Sequence, residues 1–209
     1  MLKLIDRAAR LVPGWKTLRR APGFRAALGF EETLWTRRVP DLEVRKLVAA
    51  LDPPTLSALE ISGRVWEQYG FGSYERVEYP AFDICADVLP KTFDLVIAEH
   101  IFEHLRWPYR AAKNVHAMLR PGGRFLIVTP FLYKVHRDPI DCTRWTEDGL
   151  RWFLEDSGFG AEIVTGSWGN RRALIATFRK EYRLFNRHLH TVENEPDYPI
   201  AVWALATKA

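Results

Sequence analysis

The chain has 209 residues, enough for one well-buried α/β domain and short for two. Hydrophobic residues at 47% and charged residues at 27% exclude a disordered chain, and no apolar run approaches the roughly 20 residues that a membrane helix needs. A net charge of +4 is too mild to make the whole protein a binder of nucleic acid, and two cysteines, Cys85 and Cys142, are too few for a disulfide framework.

The charge is concentrated at the start. Within residues 1–30, Lys3, Arg7, Arg10, Lys16, Arg19, Arg20 and Arg25 face Asp6 alone. Leu2, Leu4, Ile5, Leu11, Val12, Trp15 and Leu18 are interleaved with them. Such a basic amphipathic segment can make weak contact with an anionic membrane surface, or pack its apolar stripe on the domain. The charges at Lys3, Asp6, Arg7 and Arg10 break any signal-peptide pattern, so the expected location is a reducing cytoplasm.

Residues 1–50 read as a helical segment interrupted at Pro13-Gly14 and Pro22-Gly23, with a helix from Asp41 to Leu51. Residues 51–209 read as an α/β domain. A short strand at Ser57–Ile61 enters a Ser62-Gly63 turn, and a second strand covers Arg76–Glu78. Phe93–Ala98 is apolar on both faces, as a parallel strand under two helix layers should be. A helix starts at Pro108, where the missing N–H costs nothing, and buries Ala111, Val115 and Met118. Pro121-Gly122-Gly123 stops it, and Arg124–Thr129 is the fourth strand. Thr146 caps another helix with Leu150, Phe153 and Leu154 facing inward and Gly158 past its end. Ala161–Val164 and Ile200–Ala206 complete the strands.

The run Phe93-Asp94-Leu95-Val96-Ile97-Ala98-Glu99-His100-Ile101-Phe102-Glu103-His104-Leu105, followed by Met118-Leu119-Arg120-Pro121-Gly122-Gly123-Arg124-Phe125-Leu126-Ile127-Val128, is a βαβ unit written in sequence. It resembles the second half of class I S-adenosylmethionine-dependent methyltransferases, the type 11 methyltransferase-domain group. The resemblance is strongest over residues 58–160. It implies a three-layer Rossmann-like fold, with a mostly parallel sheet and an antiparallel last strand. It also implies S-adenosylmethionine as cofactor and methyl transfer to an oxygen or nitrogen of a small molecule, a sugar or secondary metabolite.

Ligands of doubly wound sheets bind outside the carboxyl ends of the strands. Glu60 and Glu78 close the first two strands, 18 residues apart, and Asp87 follows Cys85-Ala86. By resemblance, Glu60 borders the methionine end of the cofactor, Glu78 meets the ribose and Asp87 lies near the adenine. Glu99 and His100 line the same pocket. The family's Gly-x-Gly-x-Gly loop is reduced here to Gly63, in Glu60-Ile61-Ser62-Gly63-Arg64, with a short first crossover after it. That departure raises an alternative, a non-catalytic relative whose remodelled pocket binds a ligand or partner.

The loop Pro130–Thr146, reading PFLYKVHRDPIDCTRWT directly after the fourth strand, is polar, aromatic and proline-bearing. It resembles the strand-end loop of methyltransferases found beside sugar-modifying enzymes. His136 is the candidate base, Asp141 its orienting partner and Arg144 a lock on the loop or an anionic acceptor. Trp145, Trp152 and Trp168 are candidates for an acceptor wall. His100-Ile101-Phe102-Glu103-His104 also satisfies the H-x-x-E-H pattern of a zinc protease class. It abuts a strand end and precedes Pro108, so no metal is expected. Glu103 and His104 are assigned to the local turn, with His104 a reserve base. The expected partner is a small-molecule acceptor, not a nucleic acid, and the sequence leaves the oligomeric state open.

Overall fold

The computed structural model describes residues 22–160, 162–178 and 184–209. The basic stretch before residue 22 lies outside them, so the membrane-contact reading of residues 1–30 is not addressed for most of its length. The helices are α1 (Pro22–Ala27), α2 (Trp35–Ala49), α3 (Pro108–Ala117), α4 (Glu147–Asp156) and α5 (Arg171–Phe178). The strands are β1 (Ser57–Ile61), β2 (Ser73–Val77), β3 (Phe93–Glu99), β4 (Leu119–Pro130), β5 (Glu162–Trp168) and β6 (Ala201–Thr207).

They form one six-stranded sheet in the order β2-β1-β3-β4-β6-β5. Strands β1 to β4 pair in parallel, while β6 runs antiparallel to β4 and β5. This is the expected three-layer fold with its antiparallel last strand. Alternation along the strands divides the core. Leu59, Val96, Ala98, Phe125 and Ile127 face α3 and α4, where Ala111, Ala112, Val115, Leu150 and Phe153 meet them. Ala58, Leu95, Ile97, Leu126 and Val128 face the other way, against Trp35, Val44 and Val48 of α2 and Ala173 of α5. Two-sided burial is why Leu95–Ala98 of β3 reads as a continuous apolar run.

Four boundaries differ from the sequence reading, each for a local reason. Helix α2 starts at Trp35 and runs through Pro40. Its first residue, Trp35, is anchored: it stacks on His190 with ring centroids 4.0 Å apart and donates through Nε1 to the Thr191 carbonyl at 2.8 Å. Strand β2 begins at Ser73, three residues early, because all five of its residues pair with β1. Strand β5 extends to Trp168 in register with the start of β6. Pro121-Gly122-Gly123 lies within β4, where its pairing jumps from Phe93↔Leu119 to Leu95↔Arg124. Gly122 takes a positive φ of 74° there, and its N–H donates to the Lys208 carbonyl.

The first crossover has no helix. Residues 62–72 are irregular, and the buried Trp66 occupies the space a helix would cover. Tyr69, Phe71 and Tyr74 continue from it as a chain of ring contacts with centroids 4.8–6.4 Å apart. Thr146 caps α4 as expected, its Oγ1 accepting the Gly149 N–H at 3.1 Å.

Candidate active site

Because β1, β3 and β4 are parallel and β6 is antiparallel, the ends at Ile61, Glu99 and Pro130 share one sheet edge with the start of β6 at Ala201. A cavity of about 370 Å³ opens at this edge. His100, Glu103, His104 and Pro130 line it from β3, β4 and the turn between them, Tyr133 and His136 from the long loop, and Leu34 and Arg37 from the start of α2.

The chain leaves β3 abruptly. His100 is left-handed with φ 57°, and its N–H is held by the Val128 carbonyl at 2.8 Å. A non-glycine residue in that conformation is strained and persists where its surroundings enforce it. One turn of 3₁₀ helix follows at Phe102–His104. It buries Phe102 under the sheet and places Glu103 with no exposed surface. The two cavity loops are tied together: the Cys142 and Thr143 N–H groups donate to the Glu103 carbonyl at 2.7 and 3.3 Å.

The Glu103 side chain is the centre of the site. Three imidazoles surround its Oε1: His100 Nδ1 at 3.5 Å, His104 Nε2 at 3.6 Å and His136 Nε2 at 4.0 Å. Among the described residues, neither carboxylate oxygen has a hydrogen-bond partner, and neither does the buried His100 Nε2. Burial pushes the His100 imidazole below its ordinary range, opposed by Glu103. Sequence reasoning assigned Glu103 to a turn and missed this grouping. The H-x-x-E-H run forms one 3₁₀ turn rather than a helix, and its Glu and second His meet His136 from another loop.

Asp141 takes a different role from the one expected. Its Oδ2 accepts the backbone N–H of His136 at 2.8 Å, and the Arg144 guanidinium grips both carboxylate oxygens. Arg144 holds the Asp141 carboxyl below its ordinary value. The pair therefore fixes the loop backbone, and the carboxylate that faces the His136 ring is Glu103.

The strand-end carboxylates divide into two groups. Glu60 is buried and turned inward: it accepts the Val65 N–H at 3.1 Å, the Trp66 N–H at 3.0 Å and the Tyr74 hydroxyl at 2.6 Å. A Cβ at Gly63 would lie 2.5 Å from Glu60 Oε1, so the surviving glycine makes room for the protein's own carboxylate. Glu99 pairs with Arg37 of α2 and accepts the Trp66 indole N–H at 3.0 Å. Arg37 also meets Asp41 at 2.9 Å. Glu78 and Asp87, by contrast, are exposed. Glu78 follows β2 beside the Ser62-Gly63 turn, since the Ser62 N–H donates to the Val77 carbonyl, and it pairs with Arg76 at 2.7 Å. Asp87 accepts the Asp83 N–H at 2.7 Å.

The three tryptophans are not brought together. Trp168 is in the core, Trp145 packs on Phe153 and Trp152 is 69% exposed on α4.

A mostly parallel sheet of this order, with a cavity at the carboxyl edge between β3 and β4, defines a Rossmann-like protein of the class I methyltransferase type. The methyltransferase-domain family matches residues 55–163, just over half the chain, and the protein belongs to that family. S-adenosylmethionine is the cofactor that membership brings. Solved structures share the fold at low identity. A SAM-dependent methyltransferase from Archaeoglobus fulgidus aligns over 82% of this chain and 94% of its own, with 14% identity and a TM-score of 0.53. A Thermotoga maritima SAM-dependent methyltransferase, described as a possible histamine N-methyltransferase, aligns over 84% and 98%, with 14% identity and a TM-score of 0.50. The [4+2]-cyclase SpnF aligns over 79% and 80%, with 14% identity and a TM-score of 0.50. A search of curated proteins finds no match. No helix among the described residues is long and apolar enough to cross a membrane.

Proposed function

We propose that the protein transfers a methyl group from S-adenosylmethionine to an oxygen or nitrogen of a small molecule, a sugar or secondary metabolite, bound in the cavity at the carboxyl ends of β3 and β4. The observation that carries this reading is the cluster of Glu103 with three imidazoles on the wall of that cavity. The cofactor's adenosine half would meet two exposed carboxylates, Glu78 just after β2 at the ribose hydroxyls and Asp87, in the loop before β3, at the adenine amine. Glu60 and Glu99 keep Gly63, Trp66 and α2 in place around the methionine end. The bound sulfonium supplies an activated methyl group, so the protein contributes alignment and a route for one proton.

The His136 imidazole takes the proton of the acceptor's hydroxyl or amine as the methyl group arrives. The Glu103 carboxylate at 4.0 Å stabilises the imidazolium that forms. Asp141 and Arg144 keep the loop from drifting, and His104 is held by the Ile140 carbonyl as the neighbouring ring. Free thiols at Cys85 and Cys142 suit a reducing cytoplasm.

A second reading has its own observation. Glu60 fills the space beside Gly63 that a cofactor would approach in a full glycine loop, which favours a non-catalytic relative with a remodelled pocket. Calorimetry with S-adenosylhomocysteine separates the two. The methyl-transfer reading expects binding at micromolar to submillimolar concentration and release of S-adenosylhomocysteine with a panel of hydroxyl and amine acceptors. No binding at millimolar ligand selects the second reading.

A further inference from the structure

We infer that Glu103, His104 and His136 bind a divalent transition-metal ion of the zinc type, through one carboxylate oxygen and two imidazole nitrogens, with the remaining coordination positions open to the cavity.

The first ground is the isolation of the carboxylate. Glu103 has no exposed surface, and neither oxygen has a hydrogen-bond partner among the described residues. An ionised carboxylate in that position is costly unless something positive meets it. The described side chains that converge on it are imidazoles, and their nitrogens stop at 3.5–4.0 Å, beyond good hydrogen-bond length.

The two Glu103–imidazole spacings of 3.6 and 4.0 Å are close to those of ligands around an ion, and the 4.8 Å spread of the three donors closes to a shared ion by side-chain movements of about an ångström. Bonds of about 2.0–2.1 Å to a tetrahedral zinc put neighbouring ligand atoms about 3.4 Å apart. The donor atoms of Glu103, His104 and His136 all lie within 4.8 Å of one another. The His104 and His136 rings stand nearly perpendicular, 85° between planes and 4.9 Å between centroids, so their nitrogens converge without the rings clashing.

The tautomer agrees. His104 Nδ1 meets the Ile140 carbonyl, which can only accept, so Nδ1 carries the proton. In the neutral ring Nε2 is then the lone-pair atom, and it faces Glu103 Oε1 at 3.6 Å. Lone pair and carboxylate repel each other unless a proton or a metal cation lies between them, and a metal cation meets both at once. An imidazole fixed by a backbone carbonyl on its far nitrogen is the usual outer support of a metal ligand. His100, with Nδ1 at 3.5 Å from the same oxygen, is placed to orient the carboxylate from the other side.

The scaffold is built as well. The Cys142 and Thr143 N–H bonds to the Glu103 carbonyl, and the Thr143 hydroxyl bond to the Phe102 carbonyl at 3.3 Å, join the two loops that supply the ligands. Two His and one carboxylate, with no thiolate, is a set that catalytic zinc and open non-haem metal sites use, and it leaves room for a substrate oxygen.

The inference stands apart from the methyl-transfer reading, because metal binding is measured without the cofactor. If both hold, Glu103, His104 and His136 would hold the ion, which would lower the pKa of an acceptor hydroxyl in place of the His136 base.

The test uses the full chain, stripped of metal by a chelator and titrated with Zn²⁺ by calorimetry and with Co²⁺ by visible absorption. One equivalent should bind at micromolar concentration or tighter, with the Co²⁺ bands of a four- or five-coordinate site. Loss of an outer-shell partner alone costs about 10–100-fold in affinity, so His104→Gln and His136→Gln should each weaken binding about 100-fold or more. His188→Gln, outside the cluster, should not. X-ray absorption of the Zn²⁺-loaded parent should find two imidazoles, a readout that does not depend on the variants folding. No binding of either ion at 100 µM (roughly 100 times the expected upper Kd) overturns the inference. So does unchanged affinity in both folded variants, or a zinc shell without imidazole. Absence of S-adenosylhomocysteine binding in a sample that binds zinc retires the methyl-transfer reading alone.

Discussion

The most direct probe of the remodelled cofactor loop is Glu60→Gln. The carboxylate uses both oxygens: Oε1 accepts the Val65 N–H, and Oε2 accepts the Trp66 N–H and the Tyr74 hydroxyl. Glutamine keeps one acceptor and brings a donor. With its oxygen toward Trp66 and Tyr74, its NH₂ faces the Val65 N–H and one backbone donor is stranded. A bond to a charged acceptor is worth about 1.5–3 kcal/mol, and relief from burying the charge offsets part of its loss. The net expected destabilisation is about 2 kcal/mol, and at about 2–4 °C per kcal/mol for a chain of this size Tm should fall by about 4–8 °C. Tyr74→Phe removes one of the same bonds, so the two changes should be less than additive in a double-mutant cycle. Burial first, and then the bond to Glu60, raise the Tyr74 pKa. Stability from that phenol is therefore present below pH about 10 and lost as pH rises through the raised folded value. Differential scanning calorimetry with a pH series reads all of this. A Tm within about 1 °C of the parent, or full additivity, would refute the clasp.

Other outcomes follow from the same geometry. Glu78→Ala should weaken S-adenosylhomocysteine binding by about 1–3 kcal/mol, because the ribose hydroxyls lose a charged acceptor; unchanged affinity by calorimetry removes Glu78 from the site. His136→Ala should keep cofactor affinity and lower turnover by roughly 10²–10⁴-fold, and near-parental turnover assigns the loop to shape alone. Arg144 holds the Asp141 carboxyl below its ordinary value, so the loop's stability is present above pH about 3.9 and lost as pH falls through the lowered folded value. Asp141→Asn should remove that acid-sensitive component and raise proteolysis of residues 134–144. An unchanged digestion pattern and acid profile would count against the lock.

The sheet was legible because its strands are short apolar runs bounded by turn residues. What blurred its limits was context. Pro40 looks like a helix boundary, yet α2 runs through it, held on both sides by partners remote in sequence: Trp35 stacks on His190, Arg37 pairs with Glu99, and Val44 and Val48 pack in the core. Pro121-Gly122-Gly123 looks like a stop between helix and strand, yet the last residues of the chain pair with it through Lys208 and draw it into β4. Local propensity carries no information about such distant partners.

The site divides the same way. A strand end at Glu99-His100 and a functional loop around His136 could be read directly, while the partners of their side chains could not. Arg37 and Trp66 satisfy Glu99 from positions far away in the chain, and Asp141 was paired with the wrong part of His136. One signal was available. Two of the six histidines, His100 and His104, follow β3, and a third, His136, follows β4, the next strand in the sheet. Parallel neighbours deliver their carboxyl-end loops to one edge. Topology alone therefore brings the acidic residue between the first two histidines near the third, whatever the helical spacing of H-x-x-E-H. The chemistry lies in what the adjacent strand end adds.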